Sequence, residues 1–496
     1  MRGRVGRSGP WGLQGGIVAD FTRPLGVLLA AMILVAGLVG WAEAGPPEYL
    51  PVGHWVYAAL RQLAAAGLIG FDQVAQLPLT REEVGVLLAT AQRNAARHAL
   101  SPGLQDLLTA LRAEVPQPLE QGRRSRIGVR VTTGAEARTL HPARSGSSAR
   151  IGSGLGEGRW FVWGEVGIEE GALTVPRTYL AARVGTVHLQ AGREPLFWGP
   201  SLRTSLFLAG QPGDPGLLRF SVGFPRLRFS KFGARLTADP TRYLIGTRVD
   251  WQLSDRLRVG LAELAVARPS PLLTYWILNP LPVLLTNALD VVQLQERAGA
   301  NDNALGGVDV DFLLSPGRHL YGQLLIDDLS AAFPNRVGAL LGLYLEDPFR
   351  TGRTSLRLEY SAVANWTYTD MSGLGNHYAR NGRPLGYWLG NDADDLYLEI
   401  NHVVSAQVAW TAWVSRTRHG EGRIGRSWTS PGEAWRNWWL SGVVETRYAA
   451  GLQYASRQAG RETTFWAEVG YLVNRGNVPG ASGPDLRAGF HFSVGW

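Results

Sequence analysis

The chain has no cysteine. Disulfides, thiolate chemistry and cysteine-bound metals are therefore excluded. It has a single lysine, Lys231, so its net charge of +8 over 496 residues is carried by arginine. Those arginines are spread along the chain, which argues against a nucleic-acid-binding face. The nine histidines are scattered without ligand spacing, so no resident metal is expected. H-E-x-x-H, G-x-S-x-G and P-loop patterns are missing, and the chain reads as a non-enzyme without a cofactor. A mean hydropathy of −0.05 excludes a helical membrane bundle but suits a barrel with a polar interior.

Glycine and tryptophan are abundant, at 62 and 18 residues, and the pattern they sit in is alternation. In the final segment Leu486, Ala488, Phe490, Phe492, Val494 and Trp496 are apolar, and the residues between them are polar or small. A strand sends successive side chains to opposite faces, so this segment has one greasy face and ends on an aromatic. Tyr243–Leu253, Leu356–Trp366, Leu396–Ile400 and Phe465–Val473 repeat the pattern, with Arg248, Asp250, Arg357, Glu359, Glu399 and Glu468 on the polar face. Runs of roughly ten residues match a tilted strand crossing a bilayer. The expected fold is all-β and transmembrane, a closed antiparallel outer-membrane β-barrel of about 16–18 strands. Its apolar face would meet outer-membrane lipid.

The N-terminal part differs. Arg23, the apolar run Leu25–Val39 and the A-x-A triplet Ala42-Glu43-Ala44 read as a signal peptide over residues 1–44. Residues 45–118 read as a small helical module. Val56, Leu60, Leu63 and Ala64 fall at helical spacing, Gly67 is a stop, and Thr80 with Glu83 forms a capping box. A third helix is expected over Pro102–Ala113. Residues 119–126 form a basic linker, and 127–496 the barrel, which places the module in the periplasm.

Gly53–Leu88 resembles a single S-layer homology motif, through His54-Trp55, Tyr57, Leu60, Leu63, Gly67-Leu68-Ile69 and Leu79-Thr80-Arg81-Glu82-Glu83. That resemblance implies Trp55, Thr80 and Arg81 as candidate peptidoglycan contacts. The rest resembles the Wzi-type capsule-assembly outer-membrane proteins. The residues that carry this are Gly192-Arg193-Glu194-Pro195-Leu196-Phe197-Trp198-Gly199-Pro200, Tyr275–Pro280, Asn303-x-Leu305-Gly306 with Asp309, Tyr321–Asp328, and Pro384-Leu385-Gly386 followed by Asp392. The family implies a large monomeric barrel that binds capsular or related exopolysaccharide and helps attach or assemble it at the cell surface. A diffusion porin tethered to the wall by its helical module is the alternative.

Two segments suit sugar recognition, where aromatic faces meet C–H surfaces and planar polar groups meet hydroxyls. One offers Trp366, Tyr368, Tyr378, Tyr387 and Trp388. The other offers Trp428, Trp435, Arg436, Trp438 and Trp439. Exposed aromatics on long loops are costly unless used, although a barrel also needs girdle aromatics. Arg193, Glu194, Trp198, Gly199 and Pro200 are expected to form a structural motif, with a buried Arg193–Glu194 pair fixing the barrel wall and an inward loop. Asn391, Asp392, Asp394 and Asp395 read as a solvated acidic turn rather than a calcium loop. Asp327 and Asp328 would point to opposite faces of a strand and cannot act together on one substrate.

Overall fold

The computed structural model describes residues 47–97, 99–115, 126–138, 145–210, 216–238, 240–269, 302–329 and 334–495. The expected signal peptide, most of the linker, Tyr275–Pro280 and the terminal Trp496 lie outside them.

Eighteen antiparallel strands among the described residues close into a barrel. They begin with β1 (Arg126–Arg138), β2 (Ser145–Glu157) and β3 (Trp160–Glu169). β4 is interrupted, and its pieces Ala172–Thr174 and Thr178–Val184 both pair with β3. Next come β5 (Val187–Arg193), β6 (Leu217–Phe224), β7 (Leu227–Ala238), β8 (Thr241–Ser254) and β9 (Leu257–Ala267). β10 (Asp302–Ser315), β11 (Arg318–Asp328), β12 (Arg336–Glu346), β13 (Thr354–Val363) and β14 (Ala393–Val403) follow. The last four are β15 (Val408–His419), β16 (Glu445–Gln458), β17 (Arg461–Val473) and β18 (Gly483–Gly495). Closure is between β18 and β1, in register from Arg130↔Gly495 to Arg138↔Arg487. The alternating C-terminal segment is therefore the closing strand.

Alternation sorts the faces as the sequence implies. Trp251, Leu261, Leu341, Phe465 and Val469 are exposed on the outside, while Arg248, Asp250, Arg258 and Asp309 are buried on the inside. The barrel ends are unequal. At one end the connections have two to seven residues, and at the other lie the longer segments 194–210, 364–392 and 420–444.

The module contains three helices, α1 (Val56–Ala65), α2 (Arg81–Ala95) and α3 (Pro102–Glu114). Gly67, at φ 78°, follows α1 in the left-handed conformation that suits glycine after a helix. α2 opens with the expected capping box: Glu83 N–H donates to Thr80 Oγ1 at 3.1 Å, and Thr80 N–H to the Glu83 carboxylate at 2.6 Å. Leu60, Leu63, Val84, Leu88, Leu104 and Leu111 form its core, which Leu313 of the barrel wall joins. The module covers the short-turn end. Gly317 N–H donates to the Ala65 carbonyl at 2.8 Å, Gly103 N–H to the Gly352 carbonyl at 2.8 Å, and Gly460 N–H to the Glu114 carboxylate at 3.0 Å.

Candidate functional site

The lumen is occupied from both ends. The inward loop 194–210 leaves β5 at the long-loop end and turns inward. Its Phe197–Trp198 segment pairs on one side with Gln76–Leu77 of the module and on the other with Leu208–Ala209. Arg61 of α1 donates to the Gly199 carbonyl at 2.6 Å, and Gly199 N–H to the Ala75 carbonyl at 3.0 Å. Above, the loop 364–392 rests on the same segment. Tyr368 Oη–H donates to the Leu206 carbonyl at 2.6 Å, Tyr378 Oη–H to the Phe207 carbonyl at 2.8 Å, and Ala209 N–H to the Leu385 carbonyl at 3.0 Å. Module, inward loop and outer loop thus form one column through the barrel.

The column sits against β8–β11, whose inward side chains are buried. Arg248 binds Asp250 at 2.7 Å and Asp309 at 2.8 Å, and Arg258 reaches Asp250 at 2.7 Å as well as Asp309 and Asp311. Gln76 of the module also donates to Asp250, at 2.5 Å. Two arginines are thus held among three aspartates without solvent. Such a network fixes geometry strongly, and losing one member strands a buried charge. Across the barrel the filling is thinner. The inward Thr411, Trp413, Ser415, Thr464, Trp466, Glu468, Arg487 and His491 of β15, β17 and β18 are half-buried.

The expected Arg193–Glu194 pair is not the one the structure forms. Glu194 is buried, but its partner is Arg177, whose Nε lies 3.0 Å from both carboxylate oxygens. Arg193 instead donates outward to the Val175 carbonyl at 2.8 Å. Residues 193 and 194 straddle the strand end, so their side chains diverge. Trp198 is fully buried against Phe232, at 5.3 Å between ring centres, and Pro200 is buried beside it. A Cβ on Gly246 would stand 2.8 Å from the Trp198 ring, so the bare backbone there makes room for the indole.

The expected sugar-contact residues divide by exposure. Trp366, Tyr368, Tyr378 and Tyr387 are buried and offer no open face to a ligand. Burial drives the Tyr368 and Tyr387 phenols upward, so both stay neutral. Trp366 packs edge-on to Trp428 at 5.5 Å, and its Nε1–H donates at 3.4 Å to the carbonyl of Ala434. Ala434 belongs to the short helix α4 (Pro431–Arg436) in loop 420–444. Asn365 N–H and Nδ2 donate to the Trp438 and Asn437 carbonyls, both at 2.9 Å. On this base Trp435 is 56% exposed, Trp438 38% and Arg436 also exposed, with Trp428 and Trp439 half-buried. Trp438 is oriented by its Nε1–H donating to the Asn335 carbonyl at 2.8 Å. Trp388, 44% exposed, stands apart over Arg203 at 5.5 Å.

The acidic turn is not solvated. Asn391, Asp392, Asp394 and Asp395 are all buried and separately engaged. Asp392 accepts from Ser441 and Gly422, Asp394 binds Arg418, and Asp395 binds Arg203. Asp327 is buried and Asp328 half-exposed, as opposite faces require, and Arg336 reaches both. The candidate wall contacts lie at the joint between module and barrel. Trp55 is buried beneath Arg457 at 5.0 Å, Thr80 is the buried N-cap, and Arg81 binds Glu48 at 2.8 Å. Thr80 and Arg81 are thus engaged within the molecule, and Trp55 is buried.

The fold finds counterparts among solved structures. The structure of Wzi, an outer-membrane protein involved in group 1 capsule assembly in Escherichia coli and a carbohydrate-binding β-barrel, superposes with a TM-score of 0.66 at 16% identity. That match covers 90% of this chain and 99% of the other. The barrels OprD and OpdL of Pseudomonas aeruginosa superpose with TM-scores of 0.44 and 0.45, at 11% and 8% identity. Each match covers 75% of this chain, and 94% and 98% of the respective barrel. No curated protein sequence matches. The profile of the capsule assembly protein Wzi family matches residues 78–460, spanning the end of the module and most of the barrel, and the chain belongs to that family.

Proposed function

We propose that this barrel binds surface polysaccharide at the long-loop end and helps attach or assemble it at the cell surface. The observation that carries this is the Trp435–Arg436–Trp438 patch, exposed to solvent yet seated on a buried base of Trp366, Asn365 and Ala434. Rigid aromatic faces beside a guanidinium suit stacking on sugar rings and pairing with hydroxyl or acidic groups. The carbohydrate binding of the Escherichia coli relative agrees with this reading.

In this reading the long loops face outward and the three-helix module lies in the periplasm, because barrels of this kind keep their short turns on that side. The exposed apolar band meets outer-membrane lipid, and the barrel works as a monomer without catalysis. The porin alternative is opposed by the column of loop and module that occupies the lumen. Two measurements test the proposal together. The purified barrel should retain the surface polymer of its own cells and give little conductance in a planar bilayer. An open ohmic channel without polymer retention would favour the porin.

A further inference from the structure

Between α1, the inward-loop residues Pro200–Arg203 and the inward faces of β11–β17 lies a cavity of about 490 Å³. That is within the range of small-ligand pockets. Four guanidiniums line it, from Arg61, Arg203, Arg357 and Arg457, against the single carboxylate of Glu399. Three have acidic partners: Arg203 binds Asp395, Arg357 binds Glu399 at 2.7 Å, and Arg457 approaches Glu462 at 3.4 Å. Arg61 differs. Its hydrogen bonds go to the Val74 and Gly199 carbonyls, and its Nε–H, like that of Arg357, is buried without a hydrogen-bond partner among the described residues. Burial lowers its pKa to about 10, which still leaves it charged at neutral pH. Asp311 and Asp309 act on Arg61 through space but are already paired with Arg258 and Arg248, so Arg61 has no ion pair of its own among the described residues.

The remaining lining is aromatic. Tyr397 lies between Arg203 at 4.3 Å and Arg357 at 5.5 Å, and Trp413 is fixed by its Nε1–H donating to Glu468 at 2.8 Å. Trp466 is half-buried on the adjoining wall. Solvent reaches this side of the lumen along β15–β18, where the column fills it least.

We propose that this cavity binds one anionic sugar unit, a uronate or similarly carboxylated residue, with its carboxylate toward Arg61 and Arg357 and its ring against Trp413 and Trp466. The buried Nε–H groups of Arg61 and Arg357 lack partners among the described residues, and guanidinium donors supply the planar recognition that carboxylates favour. The proposal rests on the polysaccharide reading and adds a second, lumenal site that selects for acidic sugars.

The probes are methyl glucuronide and methyl galacturonide, each beside its neutral glycoside, titrated into the detergent-solubilised full chain and followed by tryptophan fluorescence. At least one uronide should saturate, with an affinity about tenfold above its glycoside. Arg61→Gln keeps a donor for the two carbonyls but removes the charge, and should level the pair. Trp466→Leu should reduce the fluorescence change and weaken uronide affinity, leaving Trp413 as the remaining reporter, while heat-resistant gel migration confirms the barrel. Equal response to uronide and glycoside, no saturation by either uronide, or a uronide response untouched by both substitutions would overturn the proposal. Polymer retention is scored on the same samples. If it persists while the lumenal site fails, the outer-surface reading survives; if the wild-type chain retains no polymer, that reading itself has failed.

Discussion

Gln76 of the helical module and Trp198 of a loop that starts at the opposite end of the barrel are direct strand partners, meeting inside the lumen. Through that pairing the N-terminal module, the inward loop and the outer loop 364–392 support one another. The Wzi-type barrel is thereby a filled object whose outer aromatic surface rests on a continuous support.

Truncating the centre of this support should be costly. Trp198 is fully buried between Phe232 and Arg248. Trp198→Ala is expected to lose about 3–5 kcal/mol, as large core truncations do. Limited proteolysis of the folded barrel should then cut within the inward loop 194–210, where the wild type resists.

The buried charge network makes a second expectation. Arg258→Met removes the partner shared by Asp250, Asp309 and Asp311. The stranded aspartates should destabilise the barrel by about 3–5 kcal/mol, far more than loss of the exposed Arg226–Asp255 pair. Thermal unfolding of both variants in one detergent compares them.

Docking of the module depends on Glu83. Burial alone would raise its carboxyl, but Arg228, His188 and the Thr80 cap hold it down at about 2. A carboxylate depressed in the folded state adds stability above its ordinary value of 4.5, and that stability is lost as pH falls through 2. Glu83→Gln preserves the cap but leaves Arg228 buried and unpaired at neutral pH. Cleavage of the module by added protease should accelerate in this variant while the barrel remains heat-resistant.

Asp72 has the opposite sign. Its carboxyl is buried beside Asp250, and desolvation raises it from 3.8 to about 6, with Gln73 opposing and Asp250 adding to the rise. The folded chain therefore binds this proton more tightly than the unfolded chain. Stability is greatest below the lower value and declines as pH rises through the upper one. Asp72→Asn should abolish that slope and stabilise the protein at neutral pH by roughly 2–3 kcal/mol. Melting curves of the two proteins across this window should converge at low pH and separate at high pH. A parallel pair of curves would show that Asp72 is not the titrating group.

What could be read from sequence was local. Period-two alternation in Leu486–Gly495 and Phe465–Val473 identifies membrane strands because each strand reports its own two faces. Thr80 and Glu83 lie three residues apart, so their capping box is visible without any fold. The pairing of Glu194 with Arg177 was not legible, because the adjacent Arg193 offers the same chemistry and only β4 brings Arg177 alongside. Likewise, Tyr368 and Trp435 are equally aromatic loop residues. Only the inward loop beneath Tyr368 determines that one is buried and the other exposed. The acidic run Asp392–Asp395 reads as a surface turn because its partners Ser441, Arg418 and Arg203 are remote in sequence.

The outer patch supplies the last expectation. Replacing Trp435, Trp438 and Trp439 with Ala removes aromatic surface that is exposed or half-exposed at the long-loop end. Truncation there leaves no large cavity, so folding should be little changed, while attachment of surface glycan should weaken. A lipid-girdle role makes the reverse forecast, with lower yield or melting temperature and unchanged glycan per folded molecule. The buried base allows an internal control. Trp366→Ala would undermine α4 from below and should lower both stability and glycan retention, whereas the three surface substitutions should lower retention alone. Folded yield and bound glycan measured on the same four preparations, wild type, Trp366→Ala, the triple variant and the two combined, decide between the roles. If the triple variant retains glycan at the wild-type level, the patch is not the binding surface.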